Sequence, residues 1–308
     1  MSFPRRLLLG AALIPLCRSA LAQEFPWQTI RLITPYPPGG GTDTVARLLL
    51  PHLIARLGQN ILVENRGGAG GSIGSGEVAR SGPDGHTLLL DAMGHVVNPT
   101  LMTSLPFDYA TAFAPITQLT LQPQMLVVAA AKARPESLSY ATSGNGTGSH
   151  LAMVEFARLA GMEVVHVPYR GGGPAMADLL AGNVGAAFAS VAAATGHVQN
   201  GRLRALAAAG RQRITSLPDV PTVAEQGFVG FHFDEWNGLW ATAGTPPLAL
   251  QRLHDAAIFA LAQPDVRARM AQIGIVPMGT SREAFGEFVV AQRERAARLI
   301  RAANITLG

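Results

Sequence analysis

Short apolar, β-branched runs alternate along the chain with stretches where apolar residues recur every three or four positions. The first run, Ile30 to Pro35, predicts a strand. It is followed by Thr42 to Leu57, where Val45, Leu48, Leu49, Leu53 and Leu57 share one helical face. Pro51 falls inside that helix, removes one backbone hydrogen bond and predicts a kink. Strands are predicted at Ile61 to Glu64, Thr87 to Leu90, Val127 to Ala130, Leu138 to Thr142, Val164 to Val167, Ala186 to Ala189 and Leu203 to Ala207. Beyond Thr245-Pro246-Pro247 the pattern turns helical, over about 247–262, 264–273 and 281–302. Such alternation predicts an α/β fold with mainly parallel strands. Two extended stretches, Phe113 to Val128 and Phe231 to Trp240, look like passages between two lobes. A chain that leaves one lobe and returns makes two such crossings, and the cleft between the lobes is a natural ligand site.

At 308 residues, with 48% hydrophobic and 14% charged residues, the chain has room for two packed lobes and is not a disordered sequence. The formal charge of +4 is local in origin. Arg5, Arg6 and Arg18 lie in the first 22 residues, which hold no acid; without those three, 21 basic residues face 20 acidic ones. No basic face remains for a nucleic acid. Residues 1–22 themselves read as an export signal: Arg5 and Arg6, an apolar Leu7 to Leu16, then the small-x-small site Ala20-Leu21-Ala22. The apolar stretch is about half the roughly 20 residues a membrane span needs, so cleavage after Ala22 is expected. That cleavage would remove Cys17, the one cysteine, and with it disulfide and thiol chemistry.

Candidate chemistry concentrates in four glycine-rich loops. Pro37-Pro38-Gly39-Gly40-Gly41-Thr42-Asp43 follows the first strand and opens the first helix. Glycines let backbone N–H groups approach a ligand, and the helix start adds unpaired donors and partial positive charge, which suits an anion. Thr42 or Asp43 can cap that helix. The second loop is Arg66 to Ser72 and the third is Ser143 to His150, while Tyr169-Arg170-Gly171-Gly172-Gly173-Pro174 is the fourth. The first and third belong to different lobes and can face each other. His150 has a capping or core role as an alternative to ligand contact. Arg170 has a solvated role as its alternative, and Trp236 and Trp240 a packing role.

Several chemistries lack their motifs. No loop has the Lys-Ser/Thr of a P-loop, the spacing G-x-G-x-x-G does not occur, and the eight histidines show no metal spacing. No cofactor is therefore implied. Gly70-Gly71-Ser72-Ile73-Gly74 fits G-x-S-x-G, which keeps a secreted α/β hydrolase using Ser72 as a rival reading. An elbow needs a strand running straight into the serine, and Gly67 to Gly71 intervenes.

Taken together, the motifs carry a family resemblance. Pro35 to Asp43, Val63-Glu64-Asn65-Arg66, Pro83-Asp84-Gly85-His86-Thr87-Leu88-Leu89, Phe113 to Thr117, Tyr169 to Ala175, Leu217 to Thr222, Gly244-Thr245-Pro246 and Ala303-Asn304-Ile305 together resemble the Bug family. These are the periplasmic solute receptors of tripartite tricarboxylate transporters, and the resemblance spans the chain after residue 22. It implies a two-lobed, type II-like (Venus flytrap) periplasmic-binding-protein fold, with residues 23–120 and 235–308 in lobe I and 121–234 in lobe II. It also implies a monomeric, periplasmic, non-enzymatic receptor that closes on a small organic anion, a carboxylate, and then docks on membrane transporter subunits. A ligand-sensing receptor for a membrane sensor kinase is the other alternative. Carried over by residue, the ligand site comprises Pro38, Gly39, Gly40, Gly41, Thr42 and Asp43 from loop one. Ser143, Thr147, Ser149 and His150 face them, with Tyr169, Gly171 and Gly172 alongside. Members often have an Asp-Asn pair where this chain has Ala189-Ser190, so Ser190 is expected to read the solute differently. They also carry a helix where Ala129 to Leu138 is too short to hold one.

Overall fold

The computed structural model describes residues 24–129 and 138–306. The predicted export signal, Cys17, the cleavage site after Ala22 and residues 130–137 of the segment from Ala129 to Leu138 expected to be too short for a helix lie outside the described residues.

Three parallel strands begin the first lobe: β1 (Ile30–Thr34), β2 (Ile61–Asn65) and β3 (Thr87–Asp91), in the order β2-β1-β3. Between them run α1 (Gly41–Leu57) and α2 (Ser72–Ala79), the latter entered through a single 3₁₀ turn at Ala69–Gly71. The helix α1 continues unbroken across Pro51 and ends on Gly58, whose φ of 69° only glycine adopts at little cost. After α3 (Gly94–Leu101) comes β4 (Phe113–Ala129), a 17-residue strand. The second lobe repeats the plan: β5 (Ser139–Thr142), α4 (Gly148–Ala160), β6 (Val165–Pro168), α5 (Gly172–Ala181), β7 (Ala186–Ser190), α6 (Val191–Gln199) and β8 (Leu203–Ala208). Its parallel order is β6-β5-β7. The chain then returns through β9 (Asp234–Thr242) and closes with α7 (Pro247–Leu261), α8 (Pro264–Gln272), β10 (Val276–Pro277) and α9 (Arg282–Ala302).

The strand β4 belongs to both halves. Its first part pairs antiparallel with β9 from Phe113–Thr242 to Pro123–Asp234, and its last part pairs with β7 from Gln124–Ser190 to Val128–Ala186. The two extended stretches expected to cross between lobes are thus neighbouring strands of one ladder.

Each lobe is a sheet covered on both faces, as parallel strands require. In the first, Ile30, Leu32, Leu88 and Leu90 pack with Val45 and Leu49 of α1 and Leu253 and Ala257 of α7. On the other face Ile33, Leu89 and Trp240 meet Val96 and Val97 of α3 and Phe285 and Val289 of α9. The second lobe packs Met125, Val127, Ala141 and Ala187 against Leu179 of α5 and Ala194 of α6. Burying a Leu, Val or Ile side chain contributes about 1.5–3 kcal/mol, so these layers dominate the stability of each half.

Candidate functional site

A cleft of about 620 Å³ lies between the lobes, with the β4–β9 ladder as its floor. Besides α3, whose start at Met93 and Gly94 lines its wall, four helix starts open on it. The first is α1, whose N-cap is Gly40 and makes no side-chain cap. Its first helical bond runs from Thr44 N–H to Gly40 C=O, so the N–H groups of Gly41, Thr42 and Asp43 have no partner within the helix. Neither Thr42 nor Asp43 takes up the expected capping position, since both lie inside the helix. Asp43 points back into the loop, where Oδ2 accepts from Gly39 N–H (2.9 Å) and Oδ1 from Asn65 Nδ2 (3.0 Å), while Arg47 Nε donates to both oxygens at 3.0 Å. Burial opposes its ionisation, but Arg47, the Gly39 N–H and Asn65 outweigh burial and hold the carboxyl below the usual carboxylate range. Asp43 is thereby the anchor of the loop, not part of the cleft wall.

From the second lobe come α4, beginning after Thr147, and α5, beginning after Gly171, both without a side-chain cap. The fourth is α6, where Ser190 Oγ accepts from Ala193 N–H at 3.3 Å. In front of α4 the hydroxyls of Ser143, Thr147 and Ser149 cluster within 3.1–3.2 Å through Ser149 Oγ, and Ser143 N–H donates to that oxygen. Each helix start contributes oriented donors and partial positive charge. Arg170 is the one cationic side chain on the wall among the described residues, and it is exposed.

Of the expected site residues, Gly40, Gly41, Thr42, Ser143, Thr147, Ser149, Gly171, Gly172 and Ser190 lie on this cleft. Pro38, Gly39, Asp43, His150 and Tyr169 are not on its wall. His150 is buried behind the third loop, where Nδ1 accepts from Gly146 N–H (3.1 Å) and the ring stacks on His166 (3.9 Å between centroids). Burial, reinforced by His166, pushes it down to about 4, so it is neutral at physiological pH. Tyr169 donates its hydroxyl to Asp178 Oδ2 at 2.7 Å.

The floor holds residues that the loop-based reading passed over. Gln122, Gln124, Glu235 and Asn237 all face the cleft from β4 and β9. Gln122 Nε2 donates to Asn237 Oδ1, and Asn237 Nδ2 donates to Thr42 Oγ1 at 3.1 Å, tying the floor to the start of α1. Tyr36 sits at the edge, its hydroxyl donating to the buried Asp91 at 2.8 Å. Trp236 contributes to the wall while its ring packs on Phe285 and Phe288, whereas Trp240 is core and stacks on His95 at 4.1 Å.

Ser72 takes up no elbow. It is the first residue of α2 with ordinary right-handed backbone (φ −65°, ψ −24°), whereas a nucleophile elbow is a sharp, strained strand-to-helix turn.

Residues 45–305 match the family described as tripartite tricarboxylate transporter family receptor. The chain belongs to that family. Among its relatives is BugT of Bordetella pertussis, 34% identical over 295 residues that cover 91% of this chain and 90% of BugT. A UPF0065 protein from the tcbD-tcbE intergenic region of Pseudomonas sp. strain P51 is 37% identical, covering 96% and 93%. Solved structures superpose over almost the whole chain. The periplasmic binding protein BugD does so with TM-score 0.80 at 31% identity, covering 92% of this chain and 99% of BugD. MatC of Rhodopseudomonas palustris with bound malate gives 0.78 at 31%, covering 90% and 100%. A second R. palustris protein, with adipate, gives 0.82 at 28%, covering 92% and 99%. Proteins of this fold are thus known with malate and with adipate, and the chain is a two-lobed solute-binding receptor of its family. Among the described residues no helix is long and apolar enough to cross a membrane.

Proposed function

We propose that this receptor works in the periplasm, captures a small organic carboxylate in the cleft and presents it to membrane subunits of a tripartite tricarboxylate-type transporter. The observation that carries the reading is the convergence of the starts of α1, α4, α5 and α6 on one cleft, the first three of them not capped by the side chain of their own N-cap residue. Oriented N–H groups meet a negative charge there without a full counter-ion, so the solute can be released once the lobes part. Malate in MatC and adipate in its R. palustris relative support a carboxylate as the ligand class. Residues 121–234 form the moving lobe in this proposal, and it closes over the floor by bending where β4 and β9 cross. Binding without bond-making chemistry is sufficient, provided the closed form holds the solute better than the open form.

Native mass spectrometry of freshly purified protein, followed by thermal melts against mono-, di- and tricarboxylates, tests the reading. A solute at 100 times its dissociation constant is expected to stabilise the fold by about 2.7 kcal/mol. Replacing Gly40 and Gly41 by valine should remove that shift and leave the unliganded fold intact. A side-chain carbon at Gly41 would come within 3.2 Å of Gln122 Oε1 and fill the space at the helix start. A full shift in the double variant would refute the cradle.

A further inference from the structure

Two charged residues line the cleft among those described, and one of them is an acid. Arg170 is exposed, while Glu235 stands on the floor. Glu235 is the second residue of β9 and pairs in register with Gln122. Its carboxyl lies against the first residue of α4: a side-chain carbon on Gly148 would run into the Glu235 carboxyl and Cγ. The Gly148 N–H and the Gln124 side chain are its polar neighbours. No cation forms an ion pair with Glu235 among the described residues. Gln122 and Gln124 face it from β4 and Gly148 from α4. Asp234 and Trp236 flank it on β9, and Arg170 is the charged group elsewhere on the cleft wall. Burial pushes its carboxyl up, against the pull of Gln124 and the Gly148 N–H.

This placement changes what the second lobe offers. The start of α4 is one of the four anion-favouring helix ends, yet the protein's own carboxyl occupies it. A second negative charge brought to this end would face Glu235 at close range in a partly desolvated cleft, where like charges repel strongly. The start of α1, joined to the floor through Thr42 and Asn237, also has an acid in its first turn, but the Asp43 carboxylate is off the cleft wall and paired with Arg47, so no unpaired acid faces a solute there. We infer that Glu235 sets the specificity of the cleft: the solute carries one ionised carboxylate, at the α1 end, and presents a neutral hydrogen-bond donor, a hydroxyl or a carboxyl that keeps its proton, to Glu235. The inference rests on the cleft being a carboxylate site and narrows it to monoanions or proton-bearing diacids.

Titration calorimetry with matched pairs of ω-hydroxy monocarboxylates and α,ω-dicarboxylates, three to six carbons long, tests it on the wild-type protein and on Glu235→Gln. At pH 8 the wild type should bind the hydroxy acid at least about tenfold tighter than the matched diacid, equivalent to about 1.4 kcal/mol. Glu235→Gln should bring the two within about threefold. Lowering the pH from 8 to 6 should tighten diacid binding to the wild type more than to the variant, and leave the hydroxy acid unchanged. Equal preference at pH 8 in both proteins, or a diacid preference that Glu235→Gln leaves in place, overturns the role of Glu235. Failure of every acid to bind either folded protein overturns the carboxylate reading itself, and this inference with it. If the variant folds poorly, the pH arm on the wild type still tests the single-charge cleft: a diacid that does not tighten between pH 8 and pH 6 overturns it.

Discussion

Gly146 of the second lobe lies against Leu101 of the first. A side-chain carbon at Gly146 would collide with Leu101 Cδ1 and come within 3.1 Å of Val97 Cγ1, and the glycine holds φ at 71°. The loop in front of α4 thus reaches across the cleft and touches the end of α3. Substituting Gly146 by valine adds both a left-handed backbone penalty of about 1–2 kcal/mol and a wedge between the lobes. Solute affinity is expected to fall at least about tenfold, with a larger radius of gyration by small-angle scattering in the presence of solute. Leu101→Ala relieves the same contact from the other side and should leave the radius unchanged.

Loss of the Asp43 carboxylate should loosen the first loop. It gathers Gly39 N–H, Asn65 and Arg47 around one buried group. Asp43→Ala leaves those donors unpaired and is expected to cost about 1–3 kcal/mol of stability, with weaker solute binding. Chemical denaturation and calorimetry on the same variant separate the two effects. Because the carboxyl titrates below its ordinary range, its contribution is present at neutral pH and is lost as pH falls through that lowered value.

At the crossing, Asp234 behaves in the opposite sense. Burial pushes its carboxyl up to about 6, against the pull of Arg211 and Arg295, and Oδ1 is buried without a hydrogen-bond partner. Between about pH 4 and pH 6 the folded protein keeps a proton that the unfolded chain has released, so this group makes stability fall as pH rises through the window. Asp234→Asn should remove that slope and raise stability at pH 7.5 by at most about 3 kcal/mol. Urea melts at pH 4.5 and 7.5 measure it.

His150 supplies an acid-sensitive element. It is held neutral down to about pH 4 by burial and by His166, whereas the unfolded histidine protonates near pH 6.5. Stability is therefore lost as pH falls from 6.5 towards 4. His150→Asn, whose amide oxygen can accept the Gly146 N–H, should flatten that decline by about 1–3 kcal/mol. Melting curves across the window decide it, and an unchanged slope would show that His150 already titrates normally.

The layers of the fold were readable because apolar runs and helical faces report burial directly. Ile30 to Thr34 and the face of Val45, Leu49 and Leu53 came out where the pattern put them. Glycine clusters marked three of the four helix starts for the same reason: close backbone approach excludes side chains. The floor was harder to see. Gln122, Gln124, Glu235 and Asn237 sit within long strands that read as mere connections, and the cleft arises only when two distant strands pair. A signal did exist, since polar residues alternate at Thr120, Gln122 and Gln124 and again at Glu235 and Asn237, which places them on one face of each strand. Asp43 and His150 have residue types that suit a ligand, but their hydrogen bonds turn them into supports, and no spacing in the chain distinguishes the two roles.

The 17-residue strand β4 has a mechanical consequence. Because it passes from one sheet into the other without a loop, and β9 runs beside it up to the passage, the halves are joined by a hydrogen-bonded ribbon. Such a ribbon flexes and twists about its own length but resists sideways swivelling, so one arc of travel is soft and the rest are stiff. Pro123, at the point where pairing passes from β9 to β7, tightens that restriction by fixing its own backbone angle. In the closure proposed above, the jaws would therefore meet in the same alignment on each cycle, and the geometry of the bite is encoded in the spine.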